Sequence, residues 1–196
     1  MIVQIVCRNW EDDRVLPRMA RLLRDNLGWS ISPVSEAHAD INYYLGYFEA
    51  PRNLEHLSTL TAAYLTHREE QPLNHPKALL FDKVAQITNL RVVTCHKYQV
   101  LVEQWGTTLR AHAPVEQERF TIAPLCRHSK PVVGFSGFLY MNGRKGETLA
   151  RELVNSPLGQ RCEFIASGRG WPVRTRKYTW AEMPAFYQGL DVLVCT

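Results

Sequence analysis

Two stretches in the last third of the chain combine residue types suited to holding an anion. The first is Val132-Val133-Gly134-Phe135-Ser136-Gly137, followed after a short loop by Arg144-Lys145-Gly146-Glu147. It reads as a buried strand ending in Ser136-Gly137, a loop, and a helix that opens at Arg144-Lys145-Gly146. Glycine lets a backbone approach a ligand closely, and a helix N-terminus offers free N–H groups with partial positive charge. Arginine holds phosphate by a fork of donors and lysine as a point charge, so Arg144 and Lys145 suit a diphosphate. The spacing is not that of a P-loop, since no Ser or Thr follows the lysine. The second stretch is Ile165-Ala166-Ser167-Gly168-Arg169-Gly170-Trp171-Pro172. Gly-x-Gly after a strand is half of a dinucleotide fingerprint, with the third glycine missing. Alone, the first stretch is equally a plain strand–loop–helix turn, and for the second an ordinary tight turn is the default; their weight lies in recurring at the same strand end of one domain.

A third stretch, Tyr64-Leu65-Thr66-His67-Arg68-Glu69-Glu70, places a histidine, an arginine and two carboxylates at a strand end, where they could serve a reaction centre. A lone histidine is more often structural. His67 and His75 lack metal-ligand spacing, and His38, His56, His96, His112 and His128 form no cluster. The chain contains no Asp-x-Asp that would hold a metal against a diphosphate and no G-x-S-x-G nucleophile elbow.

The charge distribution agrees with an anionic ligand. The chain of 196 residues has a net charge of +4. Residues 1–125 carry 13 basic and 14 acidic side chains, whereas residues 126–196 carry 10 and 5. Arg144, Lys145, Arg151, Arg161, Arg169, Arg174, Arg176 and Lys177 supply most of that local excess. Such a field suits a phosphate-bearing small molecule or nucleic acid, or is a solvated surface. A hydrophobic content of 45% marks a folded chain, and apolar runs of only a few residues exclude a bilayer-spanning helix. The start, Met1-Ile2-Val3-Gln4-Ile5-Val6-Cys7, reads as a first strand and not a signal peptide. The expected compartment is the cytoplasm, with attachment to a membrane surface left open. The five cysteines, at 7, 95, 126, 162 and 195, have no paired spacing and read as reduced, mostly buried small hydrophobes.

The elements that must position these residues alternate between strand and helix. Strand 2–7 precedes a helix around 14–27, capped by Asp12 or Asp13 and ended by Gly28. A strand near 29–34 and the run Ile41–Leu45 follow. Leu54, Leu57, Leu60 and Tyr64 fit a helix that runs into Leu65-Thr66-His67. Leu79, Leu80, Phe81, Val84 and Ile87 form another apolar helical face ahead of a strand at 91–95. A helix around 98–105 stops at Gly106, and 120–123 reads as a strand. Residues 124–131, with proline at both ends, read as a linker. A second series follows: strand 132–135, helix 146–155, strand 162–166, helix 181–189 and strand 191–195. Alternating units imply parallel sheets covered by helices on both faces, with ligands beyond the carboxyl ends of the strands. The expected architecture is α/β with two Rossmann-like units facing across a cleft: an acceptor-side domain at 1–125 and a nucleotide-sugar-binding domain at 126–196. The second is expected to be incomplete, because the chain stops just after an apolar strand, 191–195. That strand is expected inside the sheet, beside an exposed apolar patch that favours self-association.

Taken in order, these pieces resemble the retaining glycosyltransferases of family 4, which have the GT-B fold. The residues that carry the resemblance are VVGFSG, RKGETLARELV, EFIASGRGW and KYTWAEMPAFYQGLDVLVCT, with weaker similarity in YLTHREE and LRVVTCHKYQVLVEQWG. Residues 1–59 match only as βα architecture. The resemblance implies transfer from a nucleotide-sugar donor to an acceptor (glycan, lipid or small molecule) with retained configuration, no cofactor and no metal. By that analogy Lys145 contacts the donor diphosphate. Phe138 stands where the family usually has an arginine, so Arg144 is the substitute. Ser136, Gly137, Gly168 and Gly170 line the donor side, and Tyr178 lies near the base. His67, the candidate catalytic residue, faces the transferred sugar or the acceptor. Two departures stand out. The first βα loop, residues 8–13, lacks the usual glycines, and the family's glutamate-bearing segment after the Asp-Val-Leu-Val strand is absent. Two alternatives remain open: a non-catalytic nucleotide-binding module, and a basic nucleic-acid-binding protein using Trp171, Tyr178 and Trp180. DNA is not the expected partner, because no recognised motif is present.

Overall fold

A computed structural model describes residues 1–51, 59–69, 75–114, 116–121, 128–139 and 146–194. The chain divides into two compact units, Met1–Val115 and Glu116–Thr196. No helix among the described residues is long and apolar enough to cross a membrane.

The first unit is built on β1 (Val3–Val6), β2 (Ser30–Ser32), β3 (Ile41–Tyr44), β4 (Leu60–Leu65), β5 (Leu90–Val93) and β6 (Thr108–Arg110). They form one parallel sheet in the order β2-β1-β3-β4-β5-β6. The helices are α1 (Val15–Leu27), α2 (Pro76–Ile87) and α3 (His96–Val102). Consecutive residues of the central strands divide between two cores. Ile5, Leu45 and Tyr64 pack with Met19 and Ala20 of α1. Val6, Tyr44 and Leu65 pack with Phe81 and Val84 of α2 and Val102 of α3. Successive side chains on a strand point to opposite faces, so unbroken apolar runs need cover on both sides.

Several local expectations change here. Leu60–Leu65 is strand β4, not the end of a helix. Its five consecutive buried residues, Thr61 to Leu65, require two covered faces, which a surface helix does not have. Leu54 and Leu57 lie outside the described residues. Arg14, not an aspartate, holds the N-cap of α1 and makes no side-chain cap. Asp12 pairs with Arg14 at 2.5 Å, and Asp13 lies 3.7 Å from Arg18. Gly28 does end α1, with φ +68°. Phe120 lies just past a turn and not in a strand; residues 122 and 123 are outside the described set. Strand β6 and the strand Arg174–Arg176 of the second unit have no counterpart in the sequence reading, because each is three residues long and polar at most positions.

The second unit contains β7 (Val132–Phe138), α4 (Glu147–Asn155), β8 (Glu163–Arg169), β9 (Arg174–Arg176), α5 (Met183–Gln188) and β10 (Val192–Val194). Its four parallel strands run β10-β7-β8-β9. Counted within the unit and read from β9, this is the order 3-2-1-4, compatible with a Rossmann-like unit. Phe135 and Ala166 face Ala150 of α4. On the other face, Ser136 meets Tyr187 and Ser167 meets Met183, both of α5. Gly134 is a glycine for this packing: a Cβ there would lie 2.3 Å from Leu190 Cδ1. The unit also takes in Glu116–Phe120, upstream of the expected linker. Trp180 Nε1 donates to Glu116 at 2.6 Å, and the Phe120 ring lies 5.0 Å from that of Trp180 and 6.0 Å from that of Tyr187. Strand β10 lies at a sheet edge and not in the interior, with Val192 and Leu193 exposed.

Candidate functional site

The two glycine-bearing strand ends come together in register. Ser136 pairs with Ser167, Gly137 with Gly168, and Phe138 with Arg169, along the carboxyl ends of β7 and β8. Gly137, Gly168 and Gly170 have φ of +105°, +116° and +90°. The space that Gly168 leaves is taken by the protein itself, because a Cβ there would sit 2.0 Å from the Gly137 carbonyl oxygen. Beside Gly170, a Cβ would lie 3.1 Å from Cβ of Leu139. These glycines therefore let two backbone segments close on each other, which the sequence alone did not distinguish from room for a ligand.

Trp171 braces the pair. Its Nε1 donates to Gly137 O at 2.9 Å, and its ring stacks on Phe135 with centroids 4.8 Å apart. Leu139 N donates to Arg169 O at 2.9 Å, joining the loop after β7 to the turn after β8. Arg144 and Lys145 lie outside the described residues. The helix they precede, α4, begins at Glu147 behind Gly146 in the left-handed conformation. Both carboxylate oxygens of Glu147 are buried without a hydrogen-bond partner among the described residues. Ala150, one turn on, packs against Phe135, Ala166 and Trp171, so α4 is anchored on the same cluster that braces the strand ends.

Tyr178 follows β9 and packs on Phe186 of α5 at 4.9 Å, with the Arg176 guanidinium over its ring at 4.7 Å. Phe186 in turn meets Tyr187, whose hydroxyl lies 3.2 Å from the Ser136 hydroxyl. One chain of contacts thus connects Tyr178 to the end of β7. Arg176 also pairs with Glu182, whose carboxyl the Thr179 N–H and hydroxyl hold below the usual range.

His67 belongs to the first unit. It follows β4, is exposed, and has the Thr66 hydroxyl 3.2 Å from Nδ1 and a Glu69 carboxylate oxygen 3.7 Å from Nε2. The Thr94 hydroxyl donates to Thr66 O at 3.1 Å, tying this turn to the end of β5. Arg68 turns toward α2 and makes a two-pronged contact with Asp82, both bonds 2.7 Å. In this stretch Arg68 is engaged in structure and His67 lies at the surface. Glu70 lies outside the described residues. Burial pushes the Cys7 thiol up to about 11, so it is no nucleophile at neutral pH. Cys7, Cys95 and Cys162 are all free.

Two features escaped the sequence reading: the exposure of Phe138 and the register that sets Arg169 beside it. The equal spacing of the two Ser-Gly pairs from their strand starts is the signal that could have aligned them. No group of three or more histidine, cysteine or carboxylate side chains is placed to hold a metal among the described residues. A scan against protein-family models gives no match to the chain, and no curated protein matches it.

Proposed function

We propose that the protein is a glycosyltransferase of the GT-B type, moving a sugar from a nucleotide-sugar donor to an acceptor with retention and without a metal. One observation carries this: the paired Ser-Gly ends of β7 and β8 lie at the carboxyl edge of a parallel sheet ordered 3-2-1-4. Open α/β sheets bind nucleotides beyond that edge, near the point where strand order reverses. Here the reversal is at β7, which has β8 on one side and β10 on the other.

In this reading Ser136, Gly137, Gly168, Gly170 and Tyr178 form the donor side. Arg144 and Lys145 offset the charge that grows on the diphosphate as the anomeric C–O bond breaks. The acceptor oxygen bonds to the anomeric carbon, and the leaving diphosphate takes its proton, so no protein nucleophile is required. His67 contacts the sugar or the acceptor.

The test is a panel of nucleotide sugars incubated with the protein and candidate acceptors in the presence of a chelator. Calorimetry with the matching nucleoside diphosphates runs beside it. The expected results are diphosphate binding, a glycoside of unchanged anomeric configuration, and a loss of about a hundredfold in kcat for His67→Ala. Diphosphate binding without turnover of any donor would favour a non-catalytic nucleotide-binding module. No binding of any nucleoside diphosphate would end both readings.

A further inference from the structure

We infer that Arg169 is a phosphate-binding residue of the second unit, holding the diphosphate of a nucleoside diphosphate against the carboxyl ends of β7 and β8. The inference rests on the nucleotide-binding reading above and adds a residue and a contact to it.

The first support is the backbone beneath the side chain. Arg169 lies between two glycines with positive φ, Gly168 and Gly170, whose missing side chains are replaced by packing against Gly137 and Leu139. Its carbonyl accepts from Leu139 N at 2.9 Å. The neighbouring strand end is tied to Trp171 at 2.9 Å, and Trp171 stacks on the buried Phe135. The chain at Arg169 is therefore held by a core, and little backbone ordering remains to be done when a ligand arrives.

The second support is what the side chain lacks. Arg169 is exposed, and its guanidinium has no ion pair or hydrogen bond among the described residues. Arg176, on the neighbouring β9, is by contrast committed to Glu182 and Tyr178. A guanidinium presents a planar fork that matches two phosphate oxygens, which a lysine in its place would not.

The third support is the neighbour in register. Phe138 is Arg169's partner in the β7–β8 ladder, and neighbouring strands lie about 4.8 Å apart. Phe138 is 50% exposed. An exposed aromatic ring beside an unengaged guanidinium offers a flat apolar surface and a phosphate fork together. A nucleoside diphosphate has the matching pair, a ring system joined to a charged diphosphate. A simple anion would use the arginine and leave the ring uncovered.

The test is calorimetric titration of UDP, GDP, ADP and inorganic pyrophosphate into four proteins, the unaltered chain, Arg169→Gln, Arg169→Lys and Phe138→Ala, with Arg174→Gln as a control for net charge. Arg174 is an exposed cation four rungs back along the β8–β9 ladder, toward the amino ends of the strands. The expected result is that the preferred nucleoside diphosphate loses about tenfold or more in affinity in Arg169→Gln. Arg169→Lys should fall between, and Arg174→Gln should stay within about twofold. Phe138→Ala should weaken the nucleotide and leave pyrophosphate unchanged. Because Arg169 and Phe138 are exposed, the variants should keep the parent's amide spectrum, which is recorded alongside. If the unaltered chain binds a nucleoside diphosphate and Arg169→Gln binds it equally well, the inference is wrong while the nucleotide-binding reading stands. An equal loss in Arg174→Gln would likewise overturn it, showing a general charge effect. If the unaltered chain binds none of the three nucleotides, the inference and the reading fall together.

Discussion

At the residue scale, two glycines with positive φ illustrate how differently one residue type can be required. At Gly28, which ends α1, a Cβ would meet nothing within 4 Å, so Gly28→Ala bears only the left-handed backbone penalty of about 1 kcal/mol. At Gly168 the same atom would lie 2.0 Å from a backbone oxygen and 2.6 Å from its carbon, both of Gly137. Backbone cannot swing aside as a side chain does, so Gly168→Ala should cost roughly 3 kcal/mol or more and lower the cooperativity of the second unit's unfolding. Urea denaturation followed by tryptophan emission measures both. Equal midpoints would show that the two strand ends separate easily. Arg91 is the other residue whose role burial decides. It is 2% exposed, and it donates to the carbonyls of Ala85 and Gln86 at the end of α2 and to Thr107 O. Burial pulls its pKa down from the usual arginine value. Gly106 leaves room for it, since a Cβ there would lie 2.9 Å from Nη1. Arg91→Met would take the side-chain donor from the Ala85 and Gln86 carbonyls, while Thr107 O keeps the Arg91 backbone N–H at 3.0 Å, and should cost about 2–4 kcal/mol in a denaturation curve. A loss below about 0.5 kcal/mol would mean that water replaces the guanidinium.

At the scale of elements, Asp191 shows how a loop residue fixes the start of a strand pair. Its carboxylate accepts from Val132 N at 2.7 Å and lies 2.9 Å from His128 Nδ1, while Asp191 N donates to Val132 O at 2.9 Å. The Val132 N–H, and then His128, hold the Asp191 carboxyl below the usual carboxylate range. A carboxyl whose pKa is lower folded than unfolded binds fewer protons in the native state. Its stabilisation is complete above the ordinary value of about 4 and is lost as the pH falls through that value toward the depressed one. The second unit should therefore weaken as the pH falls below about 4, and Asp191→Asn should flatten this part of the pH–stability curve. An unchanged acid limb in the variant would assign the acid sensitivity elsewhere, with Glu182 as the next group to replace.

At the scale of the whole molecule, each unit has its own parallel sheet and its own buried core, with two apolar clusters among the described residues of the first unit and one among those of the second. The second unit's core includes a segment that the proline-bounded linker would have excluded. Glu116 receives the Trp180 indole N–H, and Phe120 packs on Trp180 and Tyr187. A fragment that begins at residue 116 should accordingly be more stable than one that begins at 126, by about 1–2 kcal/mol for the aromatic contacts and the indole bond. Thermal unfolding of the two fragments by circular dichroism is the measurement. Equal stabilities would show that residues 116–125 ride on the unit without supporting it.

The amino-acid sequence by itself determined the alternation of strand and helix, the parallel class of both sheets and the strand–glycine positions. Those follow from apolar runs, periodicity and turn residues, which act over a few neighbouring positions. Only the tertiary structure decided that 60–65 is a central strand, because a four-residue spacing of apolar side chains fits a helix until five successive residues must be covered on two faces. It decided that Gly168 and Gly170 are filled by Gly137 and Leu139, and that Arg169 stands beside Phe138. These are meetings of residues about thirty positions apart, and strand register, a property of two paired segments, sets them.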